Sequence, residues 1–293
     1  MTNVIGEPRV VEAGRGAVWW GEGWRLFKAG FWTWIGIMIV YIVLIVLISL
    51  IPHVGDVGHS LLVPVFMGGL MKGCHALRHH QPLRVAHFFE GFQGAHFVPL
   101  LVIGLVNLGI MLALVVGGGL VAGGLGFLSL ALLNAQVGDP FAAITNMFAM
   151  VGVGGLLVVL VILTIVAVLA MLNWFAPALV VLQGAGAIDA MKKSFSACWR
   201  NWAPFLIYGL IGIGIALVAM ALFGTLFAIF GIGAWMGASG SGWGALIGLF
   251  VLLLVLITIA TLFIGPIVIS STYAGYEDTL GVDDVTLPNP ALR

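Results

Sequence analysis

Residues 156–172 read LLVVLVILTIVAVLAML. Thr164 is the one polar residue in this stretch, and the apolar composition of the rest decides the fold. A helix of this composition is apolar on every face, and about 20 such residues cross the roughly 30 Å hydrocarbon core of a bilayer. A transmembrane β-barrel would instead need segments of about ten residues that alternate apolar and polar side chains. Comparable apolar runs occur at 31–51, 202–229 and 245–270. The sequence therefore predicts an all-α membrane protein.

Composition supports the same class. Of the 293 residues, 62% are hydrophobic and 8% are charged, whereas roughly a quarter are charged in a typical soluble domain. Eleven basic and eleven acidic residues give a net charge of zero, so no basic field is present to attract nucleic acid. Cys74 and Cys198 are the only cysteines, and both are expected on the cytoplasmic side, where thiols stay reduced. We expect neither nucleic-acid binding nor a structural disulfide.

Six transmembrane helices are predicted, and turn-forming residues separate them. The third should end near Val121, where Gly117, Gly118 and Gly119 loosen the backbone and a long external connection follows. The fourth should begin at Asp139–Pro140 and continue to about Pro177, and a glycine-rich turn at 231–244 should separate the last two. The predicted spans are about 31–51, 57–77, 96–121, 140–177, 202–229 and 245–270.

Basic residues predict the topology, because short loops rich in Lys and Arg remain cytoplasmic. With six spans, every Lys and Arg lies before the first span, between the second and third, between the fourth and fifth, or after the sixth. The other three connections contain none. This distribution predicts that both termini are cytoplasmic, and we expect the first span to act as an uncleaved anchor.

A helical stripe recurs before the first, third and fifth spans. In each case apolar residues lie four, three and four positions apart, which places them on one helical face. We interpret these segments as amphipathic helices at the cytoplasmic interface, each leading into a transmembrane hairpin. Three unrelated loop helices of chance similarity are the alternative. The stripes are Trp20, Trp24, Phe27 and Phe31; Val85, Phe89, Phe92 and His96; and Met191, Phe195, Cys198 and Trp202.

The repeat divides the chain into an N-terminal tail (1–13), a single transmembrane domain (14–276) and an unpacked C-terminal tail (277–293). Within the domain, the three units of interfacial helix and hairpin cover about 14–80, 81–183 and 184–276.

Three short motifs carry a family resemblance: GWRLFK at 23–28, PVFMGG at 64–69, and the segment from Ser194-Phe195 to NWAPF at 201–205. The chain resembles, over most of its length, a family of uncharacterised proteobacterial six-helix membrane proteins. This resemblance implies a bacterial inner-membrane location with no established activity. More distantly, the helix-then-hairpin pattern resembles the membrane domain attached to some glycerophosphodiester phosphodiesterases, although the phosphodiesterase domain itself is absent.

Histidines form one candidate metal site. His75 and His79 are four residues apart on one helical face, and Cys74 adds a thiolate, so the three could ligate one ion. The alternative is a basic interfacial loop in which histidine contributes partial positive charge toward lipid headgroups. A second, weaker combination is His53, Asp56 and His59, which a polar hairpin turn also explains.

Prolines mark possible bends in the even-numbered spans. Pro64, Pro177 and Pro266 each free a backbone carbonyl, which permits either a tolerated kink or a functional hinge. Asn173 precedes Pro177 and is expected either to bond a freed carbonyl or to line a substrate cavity. The 42 glycines favour close helix packing.

No nucleophile motif, phosphate-binding loop or buried pair of carboxylates is evident, so we expect neither an enzyme nor a bound cofactor. The leading hypothesis is a non-catalytic inner-membrane component that organises lipid or assembles with another integral membrane protein. One alternative is a transporter or flippase for a small neutral or lipidic substrate, and another is a metal-handling protein that uses the histidines.

Overall fold

A computed structural model describes residues 7–51, 54–135, 140–237 and 242–281. Over this part of the chain the protein is helical and contains no strand. The helices are α1 (Arg15–Ala29), α2 (Phe31–Ser49), α3 (Val54–Arg78), α4 (Phe97–Ala135), α5 (Pro140–Asn173), α6 (Ala176–Gln183), α7 (Ala187–Arg200), α8 (Trp202–Gly237) and α9 (Gly242–Leu280), with 3₁₀ turns at Val85–Phe92 and Gly94–His96 between α3 and α4.

The prediction of an all-α membrane protein with six spans is confirmed. Six helical segments of the described residues are long and apolar enough to cross a membrane. They are Phe31–Ser49, Val57–Arg78, Gly94–Val121, Val158–Gln183, Trp202–Ile229 and Phe250–Leu280.

The second span, in α3, is the central helix of the fold. It is 56% buried inside the protein, whereas the other five spans are 6% to 17% buried. It also has the lowest mean hydropathy of the six, 1.3. Around it pack α4, α6, α9 and the 3₁₀ turn Val85–Phe92. Burial against protein rather than lipid explains why this helix tolerates a less apolar sequence.

The N-terminal segment from residue 7 and the C-terminal end of α9 lie at the same end of the bundle, which we call the termini end. The amide N–H of Arg9 donates to the carbonyl of Thr279 at 2.9 Å. The fully buried aromatic side chains also concentrate toward this end, including Trp19, Phe27, Phe175 and Tyr273. The core of the protein therefore sits at the termini end.

The fourth span breaks once. α5 ends at Asn173 and α6 begins at Ala176, since Pro177 has no N–H to continue the hydrogen-bond ladder. Ser194 of α7 bridges the gap: its hydroxyl donates to the carbonyl of Met171 at 2.6 Å and accepts from the N–H of Phe175 at 2.9 Å. The predicted end of the fourth helix at about Pro177 is corrected to Asn173.

Two predicted connections are helical over much of the part that the structure describes. α4 continues past Val121 to Ala135, and α8 continues to Gly237. Glycine costs about 1 kcal/mol in a helix, but an unsatisfied backbone group in hydrocarbon costs several, so helix formation wins across these glycine-rich segments.

The predicted tails are also shorter than expected. α9 ends at Leu280, so Glu277 and Asp278 are helical, and the N-terminal segment packs with Pro8 buried. Ion pairing and hydrogen bonding at these residues, described below, outweigh the cost of ordering them. Residues 1–6 and 282–293, together with His53 of the second predicted metal site, lie outside the described residues.

Candidate functional site: a polar basin at the termini end

An open basin of 920 Å³ lies at the termini end between the N-terminal segment, α3, α6 and α9. Its polar lining brings together residues that are more than 190 positions apart in sequence. These polar residues are Arg9, His75, Arg78, His79, Gln81, Gln183, Tyr273, Tyr276, Glu277 and Asp278.

Asp278 joins α9 to α1 through three hydrogen bonds. Both of its oxygens accept hydrogen bonds from the guanidinium of Arg15 at 2.7 Å, and Oδ2 also accepts from Trp19 Nε1 at 2.6 Å. The hydrogen bond to Asp278 raises the pKa of Arg15 above its ordinary value. This carboxylate is fully engaged in joining two helices.

A second ionic group joins α1, α3 and α9. Arg78 pairs with Glu22 at 3.3 Å and with Glu277 at 3.0 Å. Glu22 also lies 3.6 Å from Arg25 and 3.8 Å from Arg15. The side chain of Glu22 is 13% exposed, so its charge is held largely inside the protein by arginines.

Tyr273 connects a carboxylate to an imidazole. Its hydroxyl donates to Oε1 of Glu277 at 3.0 Å and lies 2.9 Å from Nδ1 of His75. Because the hydroxyl of Tyr273 donates to Glu277, its oxygen is left to accept a hydrogen bond from the Nδ1–H tautomer of His75. This chain of contacts fixes the orientation of the His75 ring at the basin wall.

The N-terminal segment closes one side of the basin. The guanidinium of Arg9 donates to the carbonyls of Glu277 and Gly281, both at 2.8 Å, at the C-terminus of α9. Asn201, between α7 and α8, accepts from the N–H of Val11 and donates to the carbonyl of Arg9, both at 2.9 Å. The segment thus links the ends of α7 and α9.

Sequence reasoning missed this site because it placed Glu277 and Asp278 in an unpacked tail. A usable signal was present: two acidic residues follow directly after a span, while Arg15 and Arg78 lie beside other spans at the same predicted membrane face. Charged residues at one membrane face are close enough to pair, but the sequence does not say which ones meet.

Of the predicted metal ligands, the structure brings together the two histidines. The ring centroids of His75 and His79 are 4.3 Å apart. Cys74 is fully buried, and its sulfur lies 3.8 Å from the hydroxyl of Ser270. No three His, Cys, Asp or Glu side chains converge on a metal-sized site within the described residues. The predicted three-ligand set is therefore replaced by an imidazole pair.

The predicted interfacial residues divide into two groups. Phe27 and Met191 do not fit the interfacial interpretation, since they are 0% and 3% exposed within the protein. Phe27 lies on α1, which packs against α8 and α9, and Met191 on α7, which packs against α5 and α6. An amphipathic stripe indicates that one face of a helix is apolar, but it does not distinguish a face covered by lipid from one covered by protein. The remaining members are half-buried or exposed: Trp20, Trp24, Val85, Phe89, Phe92, Phe195 and Trp202.

The proline and asparagine positions lie within packed helices. Pro64 and Pro266 are buried inside α3 and α9, which continue through them. Asn173 donates to the carbonyl of Leu169 at 2.8 Å, and it exchanges two hydrogen bonds of 2.9 Å with Asn107 of α4. Neither asparagine lines the basin or the apolar groove described next.

An apolar groove of 260 Å³ lies beside α8 and α9. Trp20 stacks on Tyr208 in its wall, with ring centroids 4.9 Å apart, and donates from Nε1 to the carbonyl of Tyr208 at 3.0 Å. Trp174 and Gly212 complete this part of the lining.

Away from the termini end, the long helices expose apolar residues on all sides. Four consecutive residues of α5, Leu160 to Leu163, are each 45% to 57% exposed, and consecutive residues of a helix point in four different directions. Leu217, Val218, Met220 and Leu222 of α8 are 55% to 62% exposed. A Cβ added at Gly155 of α5 or Gly214 of α8 would meet no atom within 4 Å.

Comparison with curated proteins finds one similar protein. It is a probable inner membrane protein of Burkholderia thailandensis, 26% identical over 298 residues, and the match covers 97% of this chain and 98% of the relative. No family model and no solved structure matches the chain. The near full-length match and the six apolar helices support a multi-pass membrane protein of an uncharacterised type. The distant resemblance to phosphodiesterase membrane domains has no support in these comparisons and stays a prediction.

Proposed function

We propose that this chain is a non-catalytic component of the bacterial inner membrane that assembles with another integral membrane protein or organises the lipid around it. The inner-membrane location is supported by the similarity to a probable inner membrane protein and by the six apolar helices. The orientation with both termini in the cytoplasm rests on the sorting of Lys and Arg to the termini end.

One observation carries the proposal: α5 and α8 expose apolar residues in every direction beyond the closed end of the bundle. A membrane helix packed in a bundle buries at least one face against its neighbours. Apolar helices in lipid associate through close packing at small residues, and Gly155 and Gly214 offer open positions of this kind. These outer helix segments are therefore suited to contact partners rather than to build an internal catalytic site.

The test is purification in native lipid discs, with co-purifying proteins and lipids quantified by mass spectrometry. Gly155→Leu and Gly214→Leu add bulk where nothing lies within 4 Å, so they leave the fold intact but disturb a docked partner. Gly21→Leu is the matched control, because Gly21 of α1 also faces open space but lies outside the spans.

Loss of a stoichiometric protein from the two span variants, but not from the control, supports assembly. A lone protein with one enriched lipid class, reduced in the same variants, supports lipid organisation. Recovery of the chain alone with bulk lipid in every sample contradicts both.

The groove beside α8 and α9 favours one further candidate, a flippase for a lipidic substrate. The groove walls are almost entirely apolar, as an acyl chain requires. Transfer of fluorescent lipid between leaflets of proteoliposomes measures this activity. Filling the groove with Gly212→Leu, next to Trp20, should slow transfer, and absence of transfer by the unaltered protein rejects the candidate.

A further inference from the structure

Two imidazoles face the basin where α3 ends: His75 lies in its last turn, and His79 directly follows Arg78, the last residue of the helix. His75 and His79 are one helical turn apart, both are exposed, and both line the basin. Their ring centroids are 4.3 Å apart. Because metal–imidazole bonds are about 2.0–2.1 Å long, nitrogens on the rims of two rings at this spacing can reach one ion.

The surroundings of His75 resemble the outer shell of a metal site. Nδ1 of His75 is held by the hydroxyl of Tyr273, which in turn donates to Glu277. Metal-binding histidines commonly donate the second ring N–H to such a partner, and this bond fixes the ring and raises the basicity of the coordinating nitrogen. With Nδ1 engaged by Tyr273, coordination by His75 would use Nε2.

We propose that His75 and His79 bind a late first-row divalent metal ion, of the Ni²⁺, Cu²⁺ or Zn²⁺ class, at the wall of the basin. Imidazole suits these ions, whereas Mg²⁺ and Ca²⁺ prefer oxygen ligands. Water from the open basin completes the coordination sphere. The site is independent of the proposed assembly function.

The thiol and the two carboxylates nearest the proposed site are not ligands of the ion. Cys74 is fully buried against Ser270, so its sulfur does not reach the basin. Both oxygens of Asp278 are engaged by Arg15 and Trp19. Glu277 is engaged by Tyr273 and Arg78 and acts through Tyr273. The proposed site thus contains nitrogen and oxygen ligands only.

The experiment uses the full chain, purified without a polyhistidine tag, stripped with chelator and titrated with Ni²⁺, Cu²⁺ and Zn²⁺ by calorimetry. We expect one ion per chain for at least one of these metals and a rise in thermal stability on binding. X-ray absorption of the bound ion should show imidazole scattering without sulfur.

Matched variants locate the site. His79→Asn should abolish this binding, whereas His80→Asn should preserve it, since His80 does not line the basin and its φ of 59° is one that asparagine tolerates. Cys74→Ser should leave the affinity unchanged, and Tyr273→Phe should weaken it about 10-fold through loss of the outer-shell bond. The thermal stability of each metal-free variant shows that its fold is retained.

Three results would overturn the proposal: no saturable binding of any of the three ions by the unaltered chain, stoichiometric binding that persists in the His79→Asn variant, or a sulfur ligand in the absorption spectrum.

Discussion

Arg15 of α1 and Asp278 of α9 are joined by two parallel hydrogen bonds of 2.7 Å, although 263 residues separate them. The pair closes the termini end of the bundle, and Trp19 adds a third donor to the same carboxylate. A bidentate arginine–carboxylate pair of this geometry is stronger than an ordinary surface ion pair.

We expect Asp278→Asn to lower the free energy of unfolding by about 1–2 kcal/mol, because the amide cannot accept from all three donors. Unfolding in a detergent titration measures this change. Glu12→Gln, at an exposed position of the N-terminal segment, is the control and should have little effect. An Asp278→Asn variant as stable as the parent would show that the pair does not hold α1 to α9.

Adding one methyl group at Gly23 should force α1 away from α9. A Cβ there would lie 2.6 Å from the carbonyl oxygen of Ile267 and 2.8 Å from the backbone nitrogen of Ser271. Gly23→Ala should therefore cost about 1–3 kcal/mol of stability. Gly21→Ala, two residues earlier in open space, should be neutral or slightly stabilising, since alanine favours helix. Equal stability of the two variants would contradict the close packing of α1 on α9.

Ser194 should be required for the break between α5 and α6. Ser194→Ala leaves the carbonyl of Met171 and the N–H of Phe175 without their hydroxyl partner in a buried setting. We expect a loss of about 1–3 kcal/mol in unfolding free energy. Ser196→Ala on the same helix, where the side chain is only half-buried, is the comparison. Equally small effects of the two substitutions would mean that water can replace the serine hydroxyl as the hydrogen-bond partner of these two backbone groups.

Asn107 and Asn173 should be energetically coupled within the membrane. Their reciprocal hydrogen bonds of 2.9 Å join α4 to the end of α5. A double-mutant cycle with Asn107→Leu and Asn173→Leu should give a coupling energy of about 0.6–1.7 kcal/mol. Additive effects of the two substitutions would exclude a direct interaction.

Cys198 should resist thiol reagents in the folded protein. Burial raises the pKa of its thiol to about 12, above the ordinary value. At pH 8, four units below that pKa, only about one thiol in ten thousand is ionised, and the thiolate is the reactive form. Maleimide labelling, read by mass spectrometry, should be absent at Cys198 before unfolding and complete afterwards. A cysteine introduced at exposed Ala17 should label in the folded state, and rapid native labelling of Cys198 would contradict the buried position.

The sequence predicted the fold class and the six spans because transmembrane helices are encoded locally, by runs of apolar residues long enough to cross the bilayer. Local sequence patterns also predicted that the fourth helix begins at Asp139–Pro140 and that His75 and His79 lie on one helical face. It also predicted helical faces on α1 and α7, because a spacing of three and four residues is a property of a single segment.

Only the tertiary structure decided which faces are covered by protein and which charges meet. Phe27 and Met191 belong to stripes that a sequence cannot distinguish from lipid-facing ones, and they are buried in the core. The pairing of Arg15 with Asp278 and the bridge from Tyr273 to His75 depend on contacts across about 200 residues or more. Local composition places such groups at the same membrane face, but only the packing of α1, α3 and α9 brings their atoms within hydrogen-bonding distance.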